Sequence, residues 1–253
     1  MKPFADHFSA VARSYAAARP TYPPALFDFL ATLAPGRHHA WDCAAGSGQA
    51  TLELAARFEA VTATDASAAQ LQQAPPHPRV QYRVATAERS GLPDGSTDLV
   101  TVAQAVHWLD LDQFYAEVRR VLVPEGITAI WCYGLQRVGD RRIDSTLEHF
   151  YGDTLGPYWA PERRLVETGY RTLPFPFKEL PTPVFDMALE WSLRELTDYL
   201  RTWSATERFR RERGHDPVDT LEGELASAWG APGARRRVHW PLSLRVGRRR
   251  MPV

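Results

Sequence analysis

Residues 41–49 read WDCAAGSGQ, and this stretch decides the fold of the chain. It stands between a short run typical of a β-strand, residues 39–43, and a helical pattern that starts near Gln49. Two glycines one residue apart, Gly46 and Gly48, allow a sharp backbone turn and a close approach to a ligand. In an open α/β sheet, such a turn lies at the carboxyl ends of the strands, where ligands bind.

An acidic residue ends the next apolar run. Asp65 lies 17 residues after Gly48 and directly follows Val61-Thr62-Ala63-Thr64. A carboxylate at the tip of the second strand is placed to accept hydrogen bonds from both hydroxyls of a ribose. We therefore expect the chain to bind a cofactor that contains adenosine.

The pattern of a dinucleotide-binding loop is incomplete. Thr51, and not Gly or Ala, stands three residues after Gly48, and the chain contains no GxxxxGK[ST] phosphate loop. Asp42 would repel a pyrophosphate but would attract a cationic ligand. A cofactor with an α-amino group, a sulfonium and a ribose therefore fits Asp42 and Asp65 better than NAD does.

The residues around this loop alternate between strand and helix patterns. A helix is predicted from Pro24 through Leu33, preceded by an amphipathic helix over 5–18. Strands are predicted at 39–43, 60–64, 79–84, 97–103 and 126–133, with helices at 49–58, 67–73 and 111–123. This alternation predicts right-handed βαβ crossovers and an α/β, doubly wound, mainly parallel sheet.

After residue 134 the sequence becomes rich in aromatic residues and prolines and loses a clean period. Residues 188–213 are predicted as two helices, and His239 to Val246 as a late strand. We therefore predict a core over 1–134 with an N-terminal lid helix and a substrate cap over 135–230. Residues 231–253 would form the final edge strand and a basic tail.

Composition limits the possible partners. The 253-residue chain is 44% hydrophobic with a formal net charge of zero, which predicts a full core and gives no reason to expect nucleic-acid binding. No run approaches the ~18 apolar residues of a membrane span. Cys43 and Cys132 are expected as free thiols in a cytoplasmic protein, and no cluster suggests a metal. The oligomeric state is expected to be monomer or homodimer.

Several separated segments resemble one enzyme family. They are DHFSAVARSYAAARPTYP (6–23), DCAAGSGQAT (42–51), ATDAS (63–67), ATAERSGLPDGSTDLVTVAQAVHWLD (85–110) and VRRVLVPEG (118–126), with a weaker match in DYLRTWSAT (198–206). In this order they are similar to class I S-adenosylmethionine-dependent methyltransferases of the small-molecule type that includes the trans-aconitate methyltransferase group. Such proteins have a Rossmann-like seven-stranded sheet. Ala44 stands where the family usually has the first glycine of the loop.

The resemblance implies a set of cofactor contacts. Asp42 would hold the methionyl ammonium, Asp65 with Ala66 the ribose, and Ala87 with Glu88 the adenine. Gln104 and Ala105 would line the methyl-transfer face, and the loop itself would contribute Ala44, Gly46 and Gly48. Arg19 is predicted to pair with the cofactor carboxylate or to be a surface arginine. Phe8 and Tyr15 either cover the cofactor or simply pack.

His107 has two interpretations. It follows the fourth predicted strand, so its imidazole would take a proton from a substrate hydroxyl, or it would form part of the pocket wall with a hydrogen-bonded ring. Trp108 beside it would contact a sulfonium or fill space. Tyr133 and Trp159 are further candidates for the acceptor pocket.

The predicted function is methyl transfer to a small-molecule acceptor, at a carboxylate or hydroxyl oxygen. One alternative is a macromolecular acceptor, although the [ND]PP[YF]-type motif of amino-group methyltransferases is absent after the fourth strand, where Gln104-Ala105-Val106-His107 stands. Another is a protein that binds the cofactor without turnover. The presence of Asp42, Gly46, Gly48 and Asp65 argues against a protein without turnover.

Overall fold

A central β-sheet contains most of the strands. In the part of the chain that the structure describes, the strands are β1 (His39–Cys43), β2 (Ala60–Asp65), β3 (Val80–Val84), β4 (Thr97–Ala103), β5 (Leu122–Tyr133), β6 (Lys178–Leu180), β7 (Met187–Trp191), β8 (Arg236–Trp240) and β9 (Leu242–Arg248). Seven of them form one sheet in the order β3-β2-β1-β4-β5-β9-β6. The strands from β3 to β5 are parallel, and β9 and β6 are antiparallel to their neighbours. The predicted seven-stranded, mainly parallel fold is confirmed.

The structure is a computed structural model that describes residues 19–231 and 233–249. Its α-helices are α1 (Pro24–Leu33), α2 (Gln49–Ala55), α3 (Ala68–Leu71), α4 (Leu111–Val121), α5 (Arg141–His149), α6 (Arg163–Glu167), α7 (Leu193–Arg201), α8 (Ser204–Arg213) and α9 (Pro217–Trp229). The predicted first helix, with Phe8 and Tyr15, lies outside the described residues.

Both faces of the sheet are buried. Successive side chains of a strand point to opposite faces, so the neighbours Leu99 and Val100 of β4 belong to two different apolar clusters. Leu99 packs in the cluster of α1 and α2, and Val100 packs with Phe114 of α4. This explains why β4, a central parallel strand, has buried residues at successive positions on both faces. Each such side chain, fully buried, contributes about 1.5–3 kcal/mol.

A second, two-stranded sheet pairs β7 with β8 antiparallel. Leu189 belongs to β7, so its predicted place in a helix is wrong. The helix begins only at α7, where Ser192 and Glu195 form a capping box that satisfies the first backbone N–H groups. Aromatic rings join this sheet to α7, because Trp191 and Trp240 meet edge to face at a centroid distance of 4.7 Å and both contact Tyr199.

The late strand differs from the prediction. Pro241 lies between β8 and β9, and a proline has no N–H for a strand ladder. β9 is internal, because β6 pairs on its other side and forms the edge of the sheet. β6 thus lies inside the predicted cap range but belongs to the main sheet, and β8 lies in the predicted core range but pairs with β7. Arg249 is bound to the sheet through its N–H, which donates to the Gly126 carbonyl.

Candidate functional site

The loop between β1 and α2 carries three residues in the left-handed backbone region. Their φ values are 55° for Ala44, 56° for Gly46 and 85° for Gly48. The two glycines meet different needs. A Cβ on Gly46 would meet only Gln70 Oε1, at 3.9 Å, whereas one on Gly48 would press on the Tyr82 hydroxyl at 3.2 Å. Gly46 therefore keeps space open, and Gly48 allows close packing.

Asp42 at the end of β1 is completely buried. Its Oδ2 accepts a hydrogen bond from the Thr51 hydroxyl (2.6 Å) and its Oδ1 accepts one from the Thr101 hydroxyl (3.0 Å). Burial raises the pKa of Asp42 to about 6, although both hydrogen bonds act to lower it. The group is therefore an anion at neutral pH that a nearby cation would stabilise.

Asp65 at the end of β2 joins the loop to the next strand. Its Oδ2 accepts the Gly46 N–H (2.9 Å) and its Oδ1 accepts the Ser67 N–H (2.8 Å). A carboxylate oxygen has two lone pairs, so these bonds leave the group able to accept from a ribose diol as well. The carboxylate is thus held in a fixed orientation beside the loop.

One cavity of about 690 Å³ runs along the carboxyl ends of the strands, a size typical of cofactor and small-ligand sites. We call the part near β1, β2 and β3 the loop end. It is lined by Asp42, Ala44, Ala45, Gly46, Ser47, Gln49, Ala50, Asp65, Ala66, Ser67, Gln70, Thr86, Ala87, Glu88, Leu109 and Asp110. Most of the predicted cofactor residues are therefore in one place.

The other part of the cavity, the cap end, is lined by Arg19, Tyr22, Ala103, Gln104, Ala105, His107, Trp108, Tyr133, Ala160, Pro161, Glu162 and Arg208. Arg19 donates to the Tyr133 hydroxyl at 3.0 Å. Gln104 has a φ of 56°, and its backbone N–H donates to the Trp131 carbonyl. The acidic side chains are concentrated at the loop end, and both arginines lie at the cap end.

His107 lies in a short 3₁₀ turn, Val106–Trp108, directly after β4. Its Nδ1 is 2.7 Å from the Tyr170 hydroxyl, and its ring lies 4.6 Å from the Trp108 ring. Burial, with a smaller effect of the Arg163 charge, lowers the pKa of His107 to about 3. The imidazole is therefore neutral at physiological pH.

Of the predicted site residues that the structure describes, two lie away from the cavity lining. Gly48 packs against Tyr82 behind the loop. Trp159 donates from Nε1 to the Tyr151 carbonyl and packs on Trp203, next to the lining residue Ala160. The glycine shapes the turn, and the tryptophan supports the cap segment.

Sequence reasoning missed several lining residues. Asp110 could have been recognised from the sequence, since an aspartate directly before a helical pattern is a common N-cap. It caps α4 by accepting the Gln113 N–H, and its own N–H donates to Glu88 Oε1 at 3.4 Å. Arg208 is one of four arginines within ERFRRER (207–213), and no pattern distinguishes it from the others. Its guanidinium donates to the Tyr158 carbonyl at 3.2 Å, and within the described residues no carboxylate pairs with it.

The described part of the chain has no group of three or more potential metal ligands and no helix long and apolar enough to cross a membrane. Cys43 and Cys132 are buried and free. Burial raises the pKa of the Cys132 thiol to about 12, so it is not a nucleophile.

A parallel sheet with a glycine turn after its first strand and an acidic residue after its second is the arrangement of α/β folds that bind cofactors containing adenosine. The Methyltransferase domain family matches residues 41–130. A Dictyostelium discoideum protein named as a methyltransferase is 34% identical over 229 residues, covering 89% of this chain and 87% of its own. This chain belongs to the methyltransferase family, and its cofactor is S-adenosylmethionine.

Two further similarities extend this result. A solved structure described as a Type II methyltransferase from Anaeromyxobacter dehalogenans has 48% identity and a TM-score of 0.86, covering 92% of this chain and 99% of that one. A Geobacter sulfurreducens protein named malonyl-[acyl-carrier protein] O-methyltransferase is 38% identical over 100 residues, 37% of this chain and 38% of that protein. The first similarity includes the cap, and the second is confined to a shorter segment.

Proposed function

We propose that the protein transfers the methyl group of S-adenosylmethionine to an oxygen atom of a small molecule held at the cap end of the cavity. The observation that carries this proposal is the cavity itself. Loop-end and cap-end residues line one space, and residues 160–162 and Arg208 are part of its wall at the cap end. A cavity that has to hold the cofactor as well favours a small acceptor.

The residues of the loop end fit the cofactor. Asp42 is a buried anion beside the loop and suits the methionyl ammonium. Asp65, fixed by two backbone N–H groups, suits the ribose diol, and the open space at Gly46 admits the cofactor backbone. Ala87 and Glu88 line the part suited to adenine. Arg19, which lies beside Tyr133 at the cap end, is suited to the carboxylate of the cofactor.

The cofactor supplies a methyl group on a positively charged sulfur. With the cofactor bound, an acceptor oxygen would form the new C–O bond as the C–S bond breaks, and the electron pair of that bond would stay on the sulfur. The contribution of this chain is to place the oxygen in line and to exclude water, which can supply much of the rate. A carboxylate acceptor releases no proton, and a hydroxyl acceptor would enter as its anion, with its proton left in bulk water.

Three features favour oxygen over nitrogen as the acceptor atom. Gln104 and Ala105 stand where the motif of amino-group methyltransferases would be. Arg208 lines the cap end without a carboxylate partner among the described residues, which suits an anionic acceptor. The similarity to a protein named as an O-methyltransferase, and the resemblance to the trans-aconitate methyltransferase group, are in line with this choice.

The test is a panel of benzoate, succinate, phenol and benzylamine with S-adenosylmethionine, monitored by release of S-adenosylhomocysteine. Turnover of an acid or a phenol, with the methyl group found on oxygen by mass spectrometry, supports the proposal. Exclusive turnover of the amine, or turnover only with a protein or nucleic-acid substrate, contradicts it.

A further inference from the structure

Tyr170 adopts an unusual backbone conformation. Its φ is +60°, and it follows Gly169, whose φ is +62°. A bulky L-residue is strained in this left-handed region. A Cβ on Gly169 would lie 2.4 Å from the Ser243 hydroxyl, so only glycine fits there. The turn that carries Tyr170 therefore tolerates no side chain at position 169.

Several hydrogen bonds hold this turn in place. The Tyr170 N–H donates to the Leu165 carbonyl at 2.9 Å. The Arg245 guanidinium donates to the carbonyls of Tyr170 and Leu173, both at 2.9 Å, from the neighbouring strand β9. These hydrogen bonds hold the strained conformation. It places the Tyr170 hydroxyl 2.7 Å from Nδ1 of His107.

The direction of the hydrogen bond between Tyr170 and His107 follows from its burial. The Tyr170 side chain is completely buried, and burial holds the pKa of its hydroxyl well above the usual value, so the hydroxyl keeps its proton. Among the described residues, Nδ1 of His107 is the acceptor within hydrogen-bond distance of that hydroxyl. The tyrosine therefore donates to Nδ1, and a neutral imidazole then carries its own proton on Nε2.

We infer that Tyr170 fixes His107 as a hydrogen-bond donor, with its Nε2–H directed at the acceptor oxygen in the cavity. His107 lines the cavity and its Nδ1 is occupied by Tyr170, so Nε2 is the ring nitrogen left to meet a ligand. His107 then selects acceptors with an oxygen able to accept a hydrogen bond. Tyr170 is a positioning residue that acts through it.

The donor role for His107 rests on the proposed function and excludes a proton-abstracting one. A ring nitrogen that already carries hydrogen cannot take the proton of a substrate hydroxyl. The two roles make opposite demands on a replacement side chain. Glutamine can offer an N–H from a position close to that of Nε2 but cannot act as a base, whereas leucine can do neither.

The kinetic test compares His107→Gln with His107→Leu on the member of the acceptor panel that turns over fastest. We expect His107→Leu to lower kcat/KM for the acceptor about 10- to 100-fold, and His107→Gln to retain activity within about tenfold of the wild type. The Kd for S-adenosylmethionine should not change in either. Loss in the glutamine variant equal to that in the leucine variant would overturn the donor role.

The spectroscopic test needs no acceptor. Long-range ¹H–¹⁵N NMR at neutral pH should show His107 in the wild type protonated on Nε2 alone. Tyr170→Phe, which removes only the hydroxyl, should give a mixture of both tautomers. Tyr115→Phe is the matched control, since its buried hydroxyl has no hydrogen-bond partner among the described residues and its removal should leave the tautomer unchanged.

An Nδ1-protonated or charged His107 in the wild-type protein would overturn the inference. So would an Nε2 tautomer that Tyr170→Phe leaves unaltered in a folded protein. If no acceptor in the panel turns over, the proposed function fails, while the tautomer in these three proteins still decides the inference.

Discussion

The loop end and the cap end of the cavity differ in how their residues are brought together. The loop end comes from the ends of three successive strands and the start of α4, all within residues 42–110. Its central contacts are the backbone N–H groups of Gly46 and Ser67, which donate to Asp65. The cap end joins Arg19, Tyr133, Ala160 and Arg208 from four distant parts of the chain. A local conformation can be read from a short motif, but an assembly of distant side chains cannot.

The difference also bears on function. In the proposed function, the loop end binds the cofactor, which all members of the family use. The cap end binds the acceptor. Changes at the two ends should therefore separate cofactor affinity from acceptor selection.

The largest expected effect is at Asp65. Asp65→Ala should weaken S-adenosylmethionine binding by about 2–4 kcal/mol, because it removes one to two hydrogen bonds to the ribose. Isothermal titration calorimetry measures this, with Asp112→Ala, an exposed acid in the first turn of α4, as the control. Equal affinities for the wild type and Asp65→Ala would remove Asp65 from the cofactor site.

Asp42 should show a conflict between stability and binding. Because burial raises its pKa from 3.8 to about 6, the stabilising contribution of the protonated form is complete below pH about 4 and is lost as the pH rises through about 6. Asp42→Asn keeps the shape without the charge. At pH 8 it should raise the free energy of unfolding by up to about 3 kcal/mol relative to the wild type.

Denaturant unfolding of both proteins from pH 4 to 8 measures this difference, which should grow with pH. The same variant should bind S-adenosylmethionine more weakly, since the ammonium loses its anion. A gap in stability that shrinks as the pH rises would mean that the charge of Asp42 is stabilised in the folded state.

Arg208 tests the cap end. Arg208→Met should lower kcat/KM for an acidic acceptor about tenfold or more, since a charged hydrogen bond contributes about 1.5–3 kcal/mol, and should leave the Kd for the cofactor unchanged. Arg211→Met, on an exposed position of the same helix, is the control. Equal kinetics for the two variants would place the acceptor elsewhere.

Ala44 offers the smallest effect. Its φ of 55° is unfavourable for alanine, so Ala44→Gly should raise the free energy of unfolding by about 0.5–1 kcal/mol. Ala45→Gly, at a neighbouring position without a positive φ, should lower it by a similar amount. Thermal unfolding would distinguish them, and a destabilised Ala44→Gly protein would mean that the loop does not carry this strain.

The sequence predicted the core closely where local signals were strong. The strands before and after the glycine loop alternate with helices at short intervals, and the helix from Pro24 to Leu33 has a proline start. The cap was predicted less well. β6 has only three residues, and β7 was read as helix because Leu189 shares an apolar spacing with the residues of α7 that follow.

The site shows the same division. Asp42, Gly46 and Asp65 were predicted from a motif, because each stands in a backbone turn or at the end of a strand. Tyr170 gave no signal, since its role depends on a left-handed turn and on a clamp by Arg245 from a strand 75 residues away. Arg208 could be recognised only once the helix α8 was seen to border the cavity.

Hydrogen–deuterium exchange with and without S-adenosylhomocysteine tests the central claim most directly. If the loop end holds the cofactor, the backbone amides of residues 44–48, 65–67 and 86–88 should become protected, and those of 204–213 in α8 should change little. Protection confined to the cap end, or absent from all three loop-end segments at saturating ligand, would contradict the account.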